Sequence, residues 1–252
     1  MIASLPMYDR PEAQAANDAL WAAVRDKLGY GPDRLDRTTP FIDTWAHPDL
    51  VLGQICNLPY RARFRDQVTL LGCGDHRLDD TPAGYYHSVF VVRKDDAARG
   101  LAPAVLGTFA YNEALSQSGW GAPVTRIAAQ GLQFKSTLQT GSHLDSLRAV
   151  AEGRADLAAI DAVTWAQQLK WEPQAQDLTV IERTGLSPAQ TFVTAKGQDP
   201  APIRAALAEA IDSLDAAHKD ALHLYGFVTL PDRAYDIPLP IAPMTPLHSA
   251  AI

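Results

Sequence analysis

Two short stretches of the sequence combine small hydroxyl side chains with glycine or histidine in a pattern that favours anion binding. The first is "NEALSQSGW" at residues 112–120, and the second is "TGSH" at residues 140–143. Each stands between an apolar run and an expected helix, where hydroxyls and free backbone N–H groups can hold an oxyanion without a lysine or arginine. The side chains concerned are those of Ser116, Gln117, Ser118, Ser142 and His143. Asp161, after the next apolar run, is a further candidate.

Each of these residues also has a purely structural explanation. Ser142 and Asp145 have the spacing of a capping box, and Ser118 could be the N-cap of the helix that carries Trp120. Asp161 could cap the helix that follows it. Independent caps would not require a Ser-x-Ser-Gly, a Gly-Ser-His and an aspartate in three consecutive units, so we favour a shared binding site.

The elements around these residues alternate between strands and helices. "AVLGTFAYN", "QFKSTLQT" and "ADLAAID" are typical of strands, and each is followed by a segment with helical spacing. Such a βαβαβ unit implies parallel strands joined by right-handed crossovers. The carboxyl ends of the three strands then share one edge of the sheet, which is where ligands bind in open parallel sheets. We therefore expect the three groups of polar residues to lie together.

Composition narrows the class of protein. The chain has 252 residues, 47% of them hydrophobic, which is enough for a sizeable core in one large domain or two small ones. The net charge of −7 and the lack of a basic cluster exclude a nucleic-acid-binding surface. No apolar run is long enough to cross a bilayer, and the start "MIASLPMYDRPE" does not have the composition of a signal peptide. We therefore expect either a cytoplasmic protein or a chain that is already trimmed.

Cysteine and histidine spacing indicates no metal centre. Cys56 and Cys73 each end an apolar run, and we expect free, partly buried thiols, with a disulfide between neighbouring strands as the alternative. His47, His76 and His87 are expected at the surface or at the edge of a pocket rather than on a metal. No cofactor is expected.

The stretches quoted above resemble those of a known family. "NEALSQSG" and "TGSHLDSLRAVAEGRADLAAIDAVTW" are similar to the phosphonate-, phosphate- and phosphite-type substrate-binding subunits of ABC importers. Looser similarity extends to "LVLGQICNLPY", "YYHSVFVVR" and "QTFVTAK", so the resemblance covers most of the chain. It implies an α/β, two-lobed type II periplasmic-binding-protein fold. Each lobe would be a mixed, mainly parallel sheet flanked by helices, and two hinge strands would cross between the lobes.

The resemblance also implies roles for individual residues. Those that would grip the oxyanion are Ser116, Gln117, Ser118 and His143, with Ser142 beside them. Asp161 would meet an amine or a protonated oxygen of the ligand. The tyrosines that would close the pocket from the other lobe are Tyr8, Tyr60 and Tyr86. Gln117 departs from the Ser/Thr-rich loop of many relatives, and its amide could bind an organic substituent.

The predicted lobes are residues 1–92 with 195–252, and residues 93–194. The expected function is that of a solute-binding protein, which captures a small phosphonate- or phosphate-like oxyanion, or a compound that carries one, in the cleft between the lobes. By resemblance the partner would be an ABC permease, the location the periplasm and the chain a monomer or weak dimer. No catalytic residue is assigned. Two alternatives stay open: a ligand-sensing domain, or an enzyme of the cofactor or thiamine-precursor biosynthesis type with His143 and Asp161 as an acid/base pair.

Overall fold

The computed structural model describes residues 1–240, and strands and helices alternate along them as predicted. The strands are β1 (Ile2–Ser4), β2 (Leu50–Ile55), β3 (Val68–Asp75), β4 (Tyr85–Tyr86), β5 (Ser88–Arg93), β6 (Thr108–Tyr111), β7 (Ser136–Gln139), β8 (Leu157–Asp161), β9 (Leu178–Arg183), β10 (Ser187–Pro188), β11 (Thr191–Ala195) and β12 (Gly226–Val228). The α-helices are α1 (Gln14–Leu28), α2 (Phe41–Trp45), α3 (Asn57–Pro59), α4 (Leu101–Ala104), α5 (Ala122–Ala128), α6 (His143–Ala151), α7 (Ala162–Trp171), α8 (Pro200–Ser213) and α9 (Ala216–Leu222). Short π-helical segments cover Tyr60–Phe64 and Gln117–Gly121.

The chain divides into two compact units. Unit 1 consists of Met1–Tyr86 and Leu186–Ile237, and unit 2 of His87–Gly185 with residues 238–240. The limits predicted from the sequence, 92/93 and 194/195, lie inside β5 and β11, each of which belongs entirely to one sheet. The physical reason for this difference is burial. Both runs are apolar enough to form central strands of a single sheet, so the chain passes from one unit to the other before each strand begins. Residues 241–252, predicted to belong to the first lobe, lie outside the described residues.

Unit 1 is built on a five-stranded mixed sheet in the order β1-β2-β11-β3-β12. β1 and β2 are parallel, and β11 returns between β2 and β3 antiparallel to both. One hydrophobic cluster includes Trp21 of α1 and Leu207 of α8, and a second includes Trp45, Phe64 and Tyr235. A small antiparallel pair, β4 with β10, belongs to the same unit.

Unit 2 is built on a second five-stranded mixed sheet, in the order β7-β6-β8-β5-β9. β6 is parallel to both β7 and β8, which confirms the βαβαβ unit read from the sequence. β5 runs antiparallel to β8 and β9 and buries Phe90 in the core with Phe109 and Leu157. The ends of β6, β7 and β8 therefore share one edge, as the sequence predicted.

Several smaller expectations are also resolved. Cys56 and Cys73 are both free and buried. His76 is 4% exposed and lines a cavity, in keeping with the edge of a pocket, whereas His87 is 6% exposed and is not at the surface. Among the described residues, no group of histidine, cysteine or carboxylate side chains could hold a metal ion, and no helix is both long and apolar enough to span a membrane.

Candidate functional site

The loop after β6 folds into a tight turn around Ser116. The Ser116 hydroxyl accepts a hydrogen bond from the backbone N–H of Gly119 at 2.9 Å, so Ser116 is the N-cap of the π-helical segment. The carbonyl of Ser116 accepts from the N–H groups of Trp120 and Gly121. Ser116, Gln117 and Ser118 are all buried, with 2–4% of their surface exposed. Ser118 is thus not the helix cap that was one of the two predictions for it.

The hydroxyl of Ser118 instead contacts the loop after β7. Its Oγ lies 2.8 Å from Nε2 of His143, the first residue of α6, and 3.4 Å from Oγ of Ser116. The structure therefore brings together two of the predicted serines and the predicted histidine. Gln117 lies between the serines in the chain and has contacts of its own. This group, Ser116, Ser118 and His143, is called the hydroxyl–histidine cluster below.

Backbone hydrogen bonds between the two loops hold the cluster in place. The N–H of Thr140 donates to the carbonyl of Tyr111 at 2.9 Å, and the N–H of Gly141 donates to that of Asn112 at 3.0 Å. These bonds extend the β6–β7 ladder by two residues. Because strand pairing continues into the loops, Ser118 and His143 are aligned by the sheet.

Asn112 and Gly119 belong to the predicted stretch "NEALSQSGW" but were given no role in binding, although both shape the site. A Cβ atom on Gly119 would overlap Oδ1 of Asn112 and come within 3.3 Å of the His143 ring. Oδ1 of Asn112 is buried and accepts no hydrogen bond from the described residues. The sequence signal was the Ser-x-Ser-Gly glycine, whose lack of a side chain permits this close approach.

Two other predicted site residues, Ser142 and Asp161, are the N-caps of helices. Ser142 donates to Oδ2 of Asp145 at 2.7 Å and accepts from its N–H at 3.0 Å, which is the capping interaction predicted as the structural alternative. Asp161 is 1% exposed, and its Oδ1 accepts from the N–H groups of Val163 and Thr164. Asp161 nevertheless lies at the end of β8, on the edge where β6 and β7 also end.

Burial controls the protonation of His143. It lowers the pKa of His143 to about 4, and the main-chain carbonyl of Ala159 acts in the opposite direction with a smaller effect. The imidazole is therefore neutral at physiological pH. A neutral ring has one N–H donor and one acceptor nitrogen, so the unliganded cluster offers hydrogen bonds and no full positive charge.

The predicted tyrosines all belong to unit 1. Tyr60 and Tyr86 are 6% and 1% exposed and belong to a hydrophobic cluster, and burial raises the pKa of Tyr60. Tyr8 packs edge-on against His76 with ring centroids 5.5 Å apart. The tyrosines belong to one unit and the hydroxyl–histidine cluster to the other, and the role of the tyrosines in a binding site stays a prediction.

Unit 1 also contains a small polar cavity of about 10 Å³ that the sequence did not reveal. Tyr8, Gln54, His76 and Gln190 are among its lining residues, and Oε1 of Gln54 is buried without a hydrogen-bond partner among the described residues. Nδ1 of His76 is 2.6 Å from the carbonyl of His223, and burial lowers the pKa of His76 to about 4. The one available signal was a glutamine inside the apolar strand "LVLGQI".

Two mixed α/β units, with hydroxyl and imidazole groups at the carboxyl ends of parallel strands, define a solute-binding protein with the type II periplasmic-binding-protein fold. The model of the family "ABC transporter, phosphonate, periplasmic substrate-binding protein" matches residues 58–235, which is most of the chain. The chain belongs to this family. No curated protein matches it significantly.

Solved structures with the same fold are distant in sequence. A binding protein of an ABC phosphonate transporter from Pseudomonas aeruginosa matches with a TM-score of 0.69 and 17% identity, over 93% of this chain and 82% of that one. PhnD1 from Prochlorococcus marinus, solved in complex with methylphosphonate, gives 0.67 and 18%, over 93% and 94%. A Xanthomonas citri protein solved bound to ATP gives 0.66 and 18%, over 93% and 92%. At this identity the matches establish the fold and leave the ligand to be argued from the site.

Proposed function

We propose that this protein captures a small phosphonate- or phosphate-like oxyanion, or a compound that carries one, and delivers it to an ABC permease. The observation that carries the proposal is the 2.8 Å contact between Ser118 and His143 beside the hydroxyl of Ser116. Buried hydroxyl and imidazole groups recognise the oxygens of such a ligand by hydrogen bonding. Membership of the phosphonate-binding family supports the same class of ligand.

Capture without chemistry fits this arrangement better than catalysis does. The enzyme alternative needs His143 and Asp161 as an acid/base pair, but Oδ1 of Asp161 already accepts two backbone N–H groups as a helix cap. The imidazole is bonded to Ser118, and no carboxylate is among the groups that shift its pKa. A catalytic Ser–His pair normally has a third group that orients the histidine, and here the described carboxylates do not fill that position.

Neutral donors also match the selectivity expected of an importer. A ligand held by hydrogen bonds in fixed positions is distinguished by its shape and by its own protons, because each unmatched buried group is costly. Gln117, buried between the two serines, is the residue that we propose faces the organic part of the ligand. The location proposed from the family is the periplasm.

Calorimetric titration with phosphate, phosphite, methylphosphonate, sulfate and ATP tests the proposal. At least one phosphorus oxyanion should bind and raise Tm, and His143→Ala should weaken binding by at least tenfold, since about 1.4 kcal/mol corresponds to a factor of ten. His218→Ala is the matched control, because His218 lies on α9 and pairs with Asp215. No binding of any of the five compounds would contradict the proposal.

Turnover by the purified protein would favour the enzyme alternative instead. Each bound compound should be recovered unchanged after prolonged incubation. Conversion that disappears in Asp161→Asn would show that the site performs chemistry.

A further inference from the structure

The contacts of His143 indicate a direction for the hydrogen bonds in the hydroxyl–histidine cluster. Nε2 contacts Ser118, while Nδ1 is buried and makes no hydrogen bond of standard geometry within residues 1–240. The polar group that acts on the ring from β8 is the carbonyl of Ala159. A carbonyl oxygen can only accept, so the neutral tautomer that suits it carries the proton on Nδ1. Nε2 is then an acceptor, and the Ser118 hydroxyl donates its proton to it.

This direction decides what the two serines can offer a ligand. Ser118, having donated to His143, presents only oxygen lone pairs. Ser116 accepts from the N–H of Gly119, and its own proton can be donated either to Oγ of Ser118, in a long contact of 3.4 Å, or to a ligand. The cluster therefore contains one donor hydroxyl and one acceptor hydroxyl. A fully deprotonated oxyanion has only acceptors, so it matches Ser116 and conflicts with Ser118.

We propose that the cluster takes up one proton with each oxyanion dianion that it binds, an inference that rests on the proposed oxyanion ligand. The added proton lies on the ligand oxygen that faces Ser118, or on His143, whose imidazolium would donate from Nε2 to Ser118 and from Nδ1 towards Ala159. Both descriptions contain the same number of protons. In effect, the protein selects the singly protonated form of its ligand.

The other charged groups near His143 do not supply this proton. On α6 itself, Asp145 is bonded to Ser142. At the end of β8, Asp161 caps α7. On the loop after β6, burial raises the pKa of Glu113, and Glu113 is not among the groups that shift the pKa of His143. Only burial and the Ala159 carbonyl shift the pKa of His143, and the start of a helix further disfavours an imidazolium. The unliganded site is therefore neutral, and the proton enters with the ligand or from solvent.

Proton counting by calorimetry tests the inference with the whole chain. Methylphosphonate is titrated at a pH at least one unit above its second pKa, so that the free ligand is the dianion, in two buffers of different ionisation enthalpy. The dependence of the binding enthalpy on the buffer gives the number of protons taken up, and we expect about one per ligand. Over the same range the affinity should fall about tenfold for each unit of rising pH.

A variant of His143 tests whether the direction of this hydrogen bond is the cause of the proton uptake. In His143→Asn the side-chain amide can donate to Ser118, which then donates to the ligand, so proton uptake should fall towards zero and the pH dependence should flatten. Ser136→Ala, on the exposed strand β7, should keep the uptake of about one proton. The count on the unaltered protein stands even where His143→Asn does not fold.

The two levels of the proposal fail differently. Binding of the dianion without proton uptake would overturn this inference and leave the proposed function intact. Absence of binding at every pH would overturn the proposed function and this inference together.

Discussion

Oγ of Ser118 lies 2.8 Å from Nε2 of His143, although 25 positions separate the two residues in the chain. The contact exists because β6 and β7 are adjacent and parallel and their ladder continues into the following loops. Ser116 caps the turn, which leaves the Ser118 hydroxyl available for the histidine. Two serines that look equivalent in the sequence therefore have different roles.

Removing the Ser118 hydroxyl should affect binding more than folding. In Ser118→Ala we expect the affinity for the oxyanion to fall about tenfold to a hundredfold, because Nε2 of His143 loses its buried partner and the ligand loses a contact. Calorimetric titration measures the loss. Ser136→Ala, on an exposed strand of the same sheet, should bind like the unaltered protein. An unchanged affinity in Ser118→Ala would place the ligand elsewhere.

A methyl group at Gly119 should displace Asn112 and disturb the turn. The added Cβ overlaps Oδ1 of Asn112, so Gly119→Ala should lower the free energy of unfolding by about 1–3 kcal/mol and weaken binding. Chemical denaturation and titration measure both effects. Asn112→Ala should restore much of the loss in the double variant, since it removes the overlapping atoms. Gly185→Ala, where a Cβ meets open space, is the control. A double variant no better than Gly119→Ala would show that the overlap is not the cause.

The two helix caps should separate stability from binding. Ser142→Ala removes the cap of α6 and should cost about 1 kcal/mol of stability, with affinity changed less than twofold because the hydroxyl proton is already donated to Asp145.

Asp161→Asn keeps a good N-cap and should leave Tm nearly unchanged, while it weakens binding of an aminoalkyl phosphonate relative to methylphosphonate. If the ratio of the affinities for the two ligands is the same in Asp161→Asn as in the unaltered protein, Asp161 acts only as a helix cap.

Acid should destabilise the unliganded protein through its buried histidines. The pKa of His143 is lowered from 6.5 to about 4, so between these values the unfolded chain binds more protons than the folded one. Stability from this group should be complete above about pH 6.5, fall with decreasing pH and level off below about pH 4, with a total loss of about 3 kcal/mol. Denaturation of the unaltered protein and of His143→Asn, in buffers without oxyanions, measures the difference. Parallel pH profiles would contradict the prediction.

The thiols should stay reduced and unreactive in the folded state. β11 lies between β2 and β3, with Thr191 paired to both Ile55 and Cys73, so Cys56 and Cys73 are about two strand spacings apart. That separation of about 9–10 Å exceeds the reach of a disulfide. Burial also raises the pKa of Cys73. A thiol reagent should therefore modify two cysteines only after denaturation, and a reductant should leave Tm unchanged. Fast reaction of the native protein would contradict this.

The sequence by itself determined the parts that depend on local pattern. The strands and helices from residue 104 to 171 were predictable because apolar spacing and caps are short-range signals, and the parallel order of β6, β7 and β8 followed from their connections. The edge that carries Ser118, His143 and Asp161 followed from the same rule.

Only the tertiary structure decided between roles that the local sequence pattern does not distinguish. Which serine caps the turn, and which one meets the histidine, depends on the packing of Gly119 against Asn112 and on the continued ladder between two loops. The limits of the two compact units, 86/87 and 185/186, differ from the predicted lobe limits, because an apolar run has the same sequence pattern whether its strand crosses between two sheets or belongs to one. The cavity around Gln54 and His76 combines residues far apart in the chain, so its one local signal, a glutamine inside the apolar strand β2, did not suffice to indicate it. Long-range packing, which a linear pattern does not contain, assigned these roles.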